Sequence, residues 1–407
     1  MVRQRGKGII YLLGLLILSL QSCSLLGGDS QGNFQTSYVS SAGTPVAINQ
    51  TARNTFQGHI YFTLHRDLAV IDGKLNVTRL TQGLDVRDPS ISPDGRWIAF
   101  QARYKNYSDL MLMPTQGGKP RVLRTGAGIY ESNPGFAPHA TYLWYAQPAW
   151  APDNKHLLFL SDYDKQHVTD PNVDAFLIDP QIFSIQLDHP DGTPQEIAYA
   201  TYGDGGLRDP VYRPGHSDQI AYTNFTYDSS RIKQSIQIYL EDPNAIAHHP
   251  DKYRPGDISD EFDPAVALTP RLPDLANMQP AFSPDGNAIA YIRRLDANHM
   301  GLFVMPVPPG ASTLTQVPNN AQDDQRALEG YSKSIQLVTG EYISNPIWSP
   351  DGKYIAYTGY ANNTFDIWLA PLKRNAQRNI YSLQGQPVQL TNANGQLDAD
   401  SRPFWSS

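Results

Sequence analysis

The chain of 407 residues is 40% hydrophobic and 17% charged, and it holds 32 prolines, 31 glycines and 23 tyrosines. Such a mixture excludes a disordered chain and suits many short strands joined by turns, since proline and glycine punctuate and tyrosine favours pleated surfaces. The formal net charge is −7 with no Lys/Arg cluster, which argues against nucleic acid as a partner.

At the N-terminus Arg3, Arg5 and Lys7 precede an apolar run from Ile9 to Leu20. The run has the length of a signal-peptide core and falls short of the ~20 apolar residues that a membrane span needs. It leads into Leu20-Gln21-Ser22-Cys23, which resembles a bacterial lipobox. The resemblance implies cleavage before Cys23 and diacylation of that residue, so residues 1–22 are expected to be a lipoprotein signal peptide. Cys23 is the single cysteine, which excludes an internal disulfide. Residues 23–56 are rich in Ser, Gly, Gln, Asn and Thr with little apolar periodicity, the composition of a flexible, lipid-anchored tether. The membrane is therefore one expected partner, and the expected location is the cell envelope, facing the periplasm or the exterior. Ser24 stands where some inner-membrane lipoproteins carry Asp, which points to an outer membrane.

Residues 57–407 carry a repeated phrase. Asp88-Pro89-Ser90-Ile91-Ser92-Pro93-Asp94-Gly95 is followed by Trp97-Ile98-Ala99-Phe100. Further copies lead with Gln147-Pro148, Asp209-Pro210, Gln279-Pro280 and Asn345-Pro346, and a last, partial one with Arg402-Pro403. The leading proline lacks an N–H and belongs at the start of a strand. The strand carries an inward aromatic, Pro-Asp-Gly makes a tight turn, and a second apolar strand follows. Two more strand-like runs complete each copy, so four antiparallel strands recur every 57 to 70 residues, as in a propeller blade with insertions. The last copy stops after one strand, while His59–Phe62, Leu68–Ile71 and Val77–Thr81 are three strands without an inner one. The expected fold is all-β: a six-bladed propeller of four-stranded blades, its ring closed by a C-terminal inner strand and N-terminal outer strands.

The phrase resembles the repeat of the TolB-type propeller superfamily, which also supplies propellers to prolyl oligopeptidase-like peptidases. The resemblance spans about residues 57–407. It implies the fold and leaves function open, because one fold hosts many functions. TolB itself carries an α/β domain ahead of its propeller, whereas only ~30 polar residues precede it here. TolB's role in the Tol–Pal system therefore does not transfer directly.

The residues around each leading proline are expected where the chain enters the central channel, on the face shared by loops between second and third strands. They place Arg87, Asp88, Gln147, Arg208, Asp209, Gln279, Asn345 and Arg402 around a channel mouth. Such a ring could grip an acidic or carboxamide-bearing ligand, or its members could satisfy one another. Insertions at 126–146 and 162–180 enlarge the same face, and the first offers the aromatics Tyr130, Phe136, Tyr142, Trp144 and Tyr145 for an interface. Insertions at 242–264 and 309–333 fall on the opposite face. The first of these holds His248-His249 and an acidic run from Asp257 to Asp263, without calcium-loop spacing.

No His-Glu-x-x-His, nucleophile elbow or phosphate loop occurs. No catalytic residue, metal or cofactor is assigned. The reading is a lipid-anchored binding or scaffold protein that engages an envelope protein, peptide or glycan through a propeller face, and binding is favoured over catalysis, with the enzyme question left open. Two alternatives stand beside it. One is a propeller lyase or glycosidase acting on acidic saccharides, as the oligogalacturonate lyases that resemble this superfamily do with a metal. The other is a structural subunit of an envelope complex.

Overall fold

The structure, a computed structural model, describes residues 32–40, 43–131, 139–166, 178–200, 203–227, 230, 232–248, 265–271, 276–308, 329–376 and 380–407, with backbone alone for 129–131, 139–141 and 248. The expected signal peptide, Cys23, Ser24, Phe136, His249 and the Asp257–Asp263 run lie outside these residues.

The repeated phrase folds as its chemistry dictates. In each Ser-Pro-Asp-Gly turn the serine hydroxyl donates to the aspartate two residues on, at 2.6 Å for Ser92–Asp94 and Ser283–Asp285 and 2.7 Å for Ser349–Asp351. The same hydroxyl accepts the N–H of the residue opening the next strand, Trp97, Ala288 or Tyr354. Gly95, Gly286 and Gly352 take positive φ of 68° to 71°, the conformation that glycine adopts without a Cβ penalty. Where the phrase reads Pro-Asp-Asn, Asn154 takes φ 58°.

Five blades follow one another. Their inner strands are Val86–Ile91, Tyr145–Trp150, Leu207–Arg213, Asn277–Phe282 and Ile343–Trp348, each paired outward to three or more antiparallel strands. The outermost strand is pinned by a Leu-Thr ending: Thr81, Thr269 and Thr391 hydroxyls accept the N–H groups of Leu68, Ile238 and Ile367, all at 2.9 Å. Tryptophans tie blade to blade. Trp150 donates from its indole N–H to Ser90 of the preceding inner strand, and Trp348 donates to Ala281.

The ring closes with strand Phe404–Ser406 laid against His59–Leu64, with Ile60 opposite Trp405. Gly58 sits at this joint with φ 82°, and a Cβ there would fall 2.1 Å from the Ser406 carbonyl oxygen.

Two expectations need correction. The described residues form seven sheets of three or more strands, not six. The additional sheet comes from the segment assigned to a tether. Strands Phe34–Val39 and Pro45–Asn49 pair with each other, and Ala47 and Ile48 pair with Asn392 and Thr391. Its reason is apolar: Val46, Ile48, Ala52 and Phe56 enter a core shared with Ile71, Ile367, Leu390 and Trp405, and Phe56 stacks on Trp405 with centroids 5.3 Å apart. Ser37 bonds Leu75 and Val77 on the other side. Residues 34–56 thus staple the last full blade to the closing one.

If the staple carries stability, truncating fully buried Ile48 to Ala should cost about 2–5 kcal/mol in urea unfolding, the range for core truncations. A change near zero would return residues 34–56 to the role of a tether.

Candidate functional site

The inner strands end, on the face predicted as the channel mouth, in a constrained step. The residue before each leading proline has positive φ: Asp88 51°, Gln147 47°, Asp209 58°, Gln279 56° and Asn345 54°. The strand register slips at the same place in all five blades. Proline has no N–H to give to the ladder, so the chain bulges there, and the bulge turns the preceding side chain toward the neighbouring blade.

These side chains form a hydrogen-bonded series around most of the ring, from Gln147 to Asp88. Gln147 accepts the Asp209 N–H at 2.6 Å and donates to its carboxylate at 3.1 Å. The Thr223 hydroxyl donates to Asp209 at 2.9 Å and accepts the Gln279 N–H at 3.0 Å. Gln279 accepts the Asn345 N–H and donates to its side-chain oxygen. Asn345 donates to the carbonyls of Ala399 and Ser401, and Asp88 exchanges bonds with Ser401 and the Arg402 N–H. Burial lifts the Asp88 carboxyl to about 6.

The three arginines differ. Arg87 is buried among Asp85, Asp398 and Asp400, with the nearest carboxylate oxygen at 2.8 Å, and it also donates to the Val86 carbonyl at 2.6 Å. Arg208 donates to the Leu207 carbonyl at 2.6 Å and lies over Phe225, and burial lowers its pKa. Arg402 donates only its backbone N–H, to Asp88. Among the described residues its guanidinium has no hydrogen-bond partner, and Nη1 is fully buried.

Below the ring lies a cavity of about 1030 Å³ running down the centre of the propeller. Its wall is built from the inner strands: Pro89, Pro280, Pro346 and Pro403, with Trp150, Tyr212, Phe282, Trp348 and Phe404. It reaches the Pro-Asp-Gly turns at Pro93, Asp94, Gly95, Pro284 and Pro350, with His59 and Asp72 beside them. Arg402 lines it, whereas Asp88, Gln147, Asp209, Gln279 and Asn345 do not. The cavity thus extends toward the turn face, opposite the face that sequence reasoning favoured. The inward aromatic of the repeat was its signal.

The aromatics of the first insertion divide. Tyr142 is 42% exposed and extends a stack with Tyr107 and Tyr104, at centroid spacings of 6.1 and 4.6 Å. Trp144 is half-buried, and its backbone N–H donates to the Asp162 carboxylate. The expectation for Tyr145 is corrected. It is a core residue, 2% exposed and edge-on to Phe159, because it opens an inner strand and its side chain falls between blades. Only the backbone of Tyr130 is described, in a hairpin with residues 139–141. Among the described residues no cluster of three His, Cys, Asp or Glu side chains is set to hold a metal, and no helix is long and apolar enough to cross a membrane.

No protein-family model and no curated protein matches the sequence. Solved structures do match. TolB from Acinetobacter baumannii superposes with a TM-score of 0.51 at 16% identity, covering 86% of this chain and 66% of that one. Hydrazine synthase of Kuenenia stuttgartiensis gives 0.47 at 11% identity over 88% and 49% of the two chains. Oligogalacturonate lyase from Vibrio parahaemolyticus gives 0.42 at 12% identity over 87% and 85%. The chain therefore spans about two thirds of the length of the TolB structure. The fold is a TolB-like propeller of four-stranded antiparallel blades.

Two buried carboxyls respond oppositely to neutralisation. Asp88 and Asp366 are both raised by burial to about 6, so each contributes stability below the usual carboxylate pKa of 3.8 that is lost as pH rises through 6. Asp88→Asn keeps an oxygen for the Arg402 N–H and should stabilise the fold at pH 7.5 by up to about 3 kcal/mol, at roughly 1.4 kcal/mol per pKa unit, with no gain at pH 4. Asp366 accepts from Thr391, Ala393, Thr364 and Gln389, so an amide nitrogen there meets donors. Asp366→Asn should cost about 1–3 kcal/mol at pH 7.5. Thermal unfolding at both pH values checks the pair, and a loss for Asp88→Asn at pH 7.5 contradicts the ring's proton balance.

Proposed function

We propose that the protein is a lipid-anchored binding propeller of the cell envelope, and that its central cavity takes a segment of a partner protein or peptide from the turn face. The observation that carries this reading is the cavity itself. A volume of about 1030 Å³, walled by prolines and aromatics along the inner strands and by polar side chains such as Asp94, Gln116 and His59 near the turns, has the size and chemistry of a ligand site. The ring above it is engaged with itself, so the turn face is the side left for entry. The lipobox-like Leu20-Gln21-Ser22-Cys23 supports the anchor and, with it, the envelope location.

Two measurements test the reading. Cys23→Ser should abolish incorporation of labelled palmitate and move the protein from the membrane fraction to the soluble one, and unchanged fractionation would remove the anchor. For the cavity, the full chain in detergent serves as bait for solubilised envelope beside Ala281→Trp, which fills the cavity wall, and Tyr142→Ala, which strips the opposite face. A partner retained by Tyr142→Ala and lost with a folded Ala281→Trp supports entry into the cavity. A partner lost only with Tyr142→Ala contradicts it.

A further inference from the structure

We infer that Arg402 is an anion site inside the cavity and that it selects ligands carrying a carboxylate on an apolar body. The inference rests on the cavity being a ligand site and names what that site recognises.

Three observations converge. The first is the contrast among the arginines: Arg87 has three carboxylates paired about it and Arg208 has a carbonyl and an aromatic face, whereas among the described residues the Arg402 guanidinium has no hydrogen-bond or ion-pair partner and the Asp88 carboxylate acts on it only through space. Guanidinium presents five donors in a planar fork, and a buried donor without a partner is uncommon in folded proteins. Arg402 Nη1 is such a donor. The second is position. Arg402 lines the cavity at the end away from the turns, and the one carboxylate hydrogen-bonded to this residue, Asp88, takes the backbone N–H. Nη1 itself is closed off, so the accessible remainder of the side chain, which lines the cavity, is left for an acceptor arriving there, and a carboxylate matches a guanidinium edge with two oxygens.

The third is the wall. Pro89, Pro280, Pro346 and Pro403 have no backbone N–H, and Trp150 and Trp348 already give their indole N–H groups to the wall itself. Most of the polar lining, including Ser92, Asp94, Thr115, Gln116, His59 and Asp72, gathers at the turn end, so a body behind the charged group passes along prolines and aromatics, and an apolar one loses least there. An acidic peptide and a small organic acid share that chemistry.

The test uses the full chain in detergent, read by tryptophan fluorescence from Trp150 and Trp348. Probes are 3-phenylpropionate with its carboxamide, the peptide N-acetyl-Phe-Pro-Glu-amide with its Gln counterpart, and digalacturonate. At least one acid is expected to bind tenfold or more tightly than its neutral partner, and which pair responds separates small acids from peptides. Arg402→Gln, checked for an unchanged melting curve, should erase that ratio, and Arg402→Lys should retain part of it. Equal binding of acid and neutral partner, lost in Ala281→Trp, overturns the anion site and leaves the cavity reading standing. Digalacturonate as the tightest probe overturns the apolar-body assignment. Binding of no probe at millimolar concentration overturns both readings.

Discussion

Proline without an N–H, set in the innermost strand of every blade, is the constraint on which the centre of this molecule depends. A strand that cannot donate at that position is prone to bulge, and in five of the inner strands the residue before the proline takes positive φ. Asp and Asn tolerate that conformation better than most residues, and three of the five such positions hold them. The bulge also decides where the side chain goes. It turns it sideways toward the next blade, where Gln147 meets Asp209 and Gln279 meets Asn345. A ring of polar groups that could have faced a ligand becomes a brace between blades. Arg402 is the exception, outside the positive-φ set, and it stands at the joint where the two chain ends meet.

Closure of the ring places its own demand. A propeller joint between distant segments is held by few covalent neighbours, so it needs packing across the seam. Here the inner strand from Phe404 to Ser406 supplies the hydrogen bonds, and Val46, Ile48 and Phe56 supply apolar contact. Arg87 and Arg103 add ion pairs to Asp400 across the same seam. The seventh sheet is best understood as this reinforcement, since its strands bond the last full blade on one side and the closing one on the other.

Much of the fold was legible because the repeat states its chemistry locally. Ser-Pro-Asp-Gly dictates its turn through contacts two to five residues apart, and the leftover strands at each end foretell the joint. The staple was not legible. Its apolar residues Val46, Ile48 and Phe56 are sparse among Ser, Thr and Asn, and only the core of remote blades gives them a partner. Arg402 was legible as a candidate but not separable from Arg87, whose carboxylates Asp398 and Asp400 lie more than 300 positions away. Tyr145 read as an interface aromatic because it sits in an aromatic-rich insertion, and its burial follows from where the inner strand begins. The cavity's direction required knowing which way the bulges turn, which a linear pattern does not state.

Amide hydrogen exchange at Asp88, Asp209, Gln279 and Asn345 tests most directly whether the ring is a brace. Their N–H groups bond to the side chains of Ser401, Gln147, Thr223 and Gln279. If the ring is locked, these amides should exchange as slowly as those of the second strands, such as Ile98 and Ile289, with opening set by global unfolding. Exchange at these four positions orders of magnitude faster than in those strands would mean an open, hydrated mouth, and it would contradict a cavity entered only from the turn face.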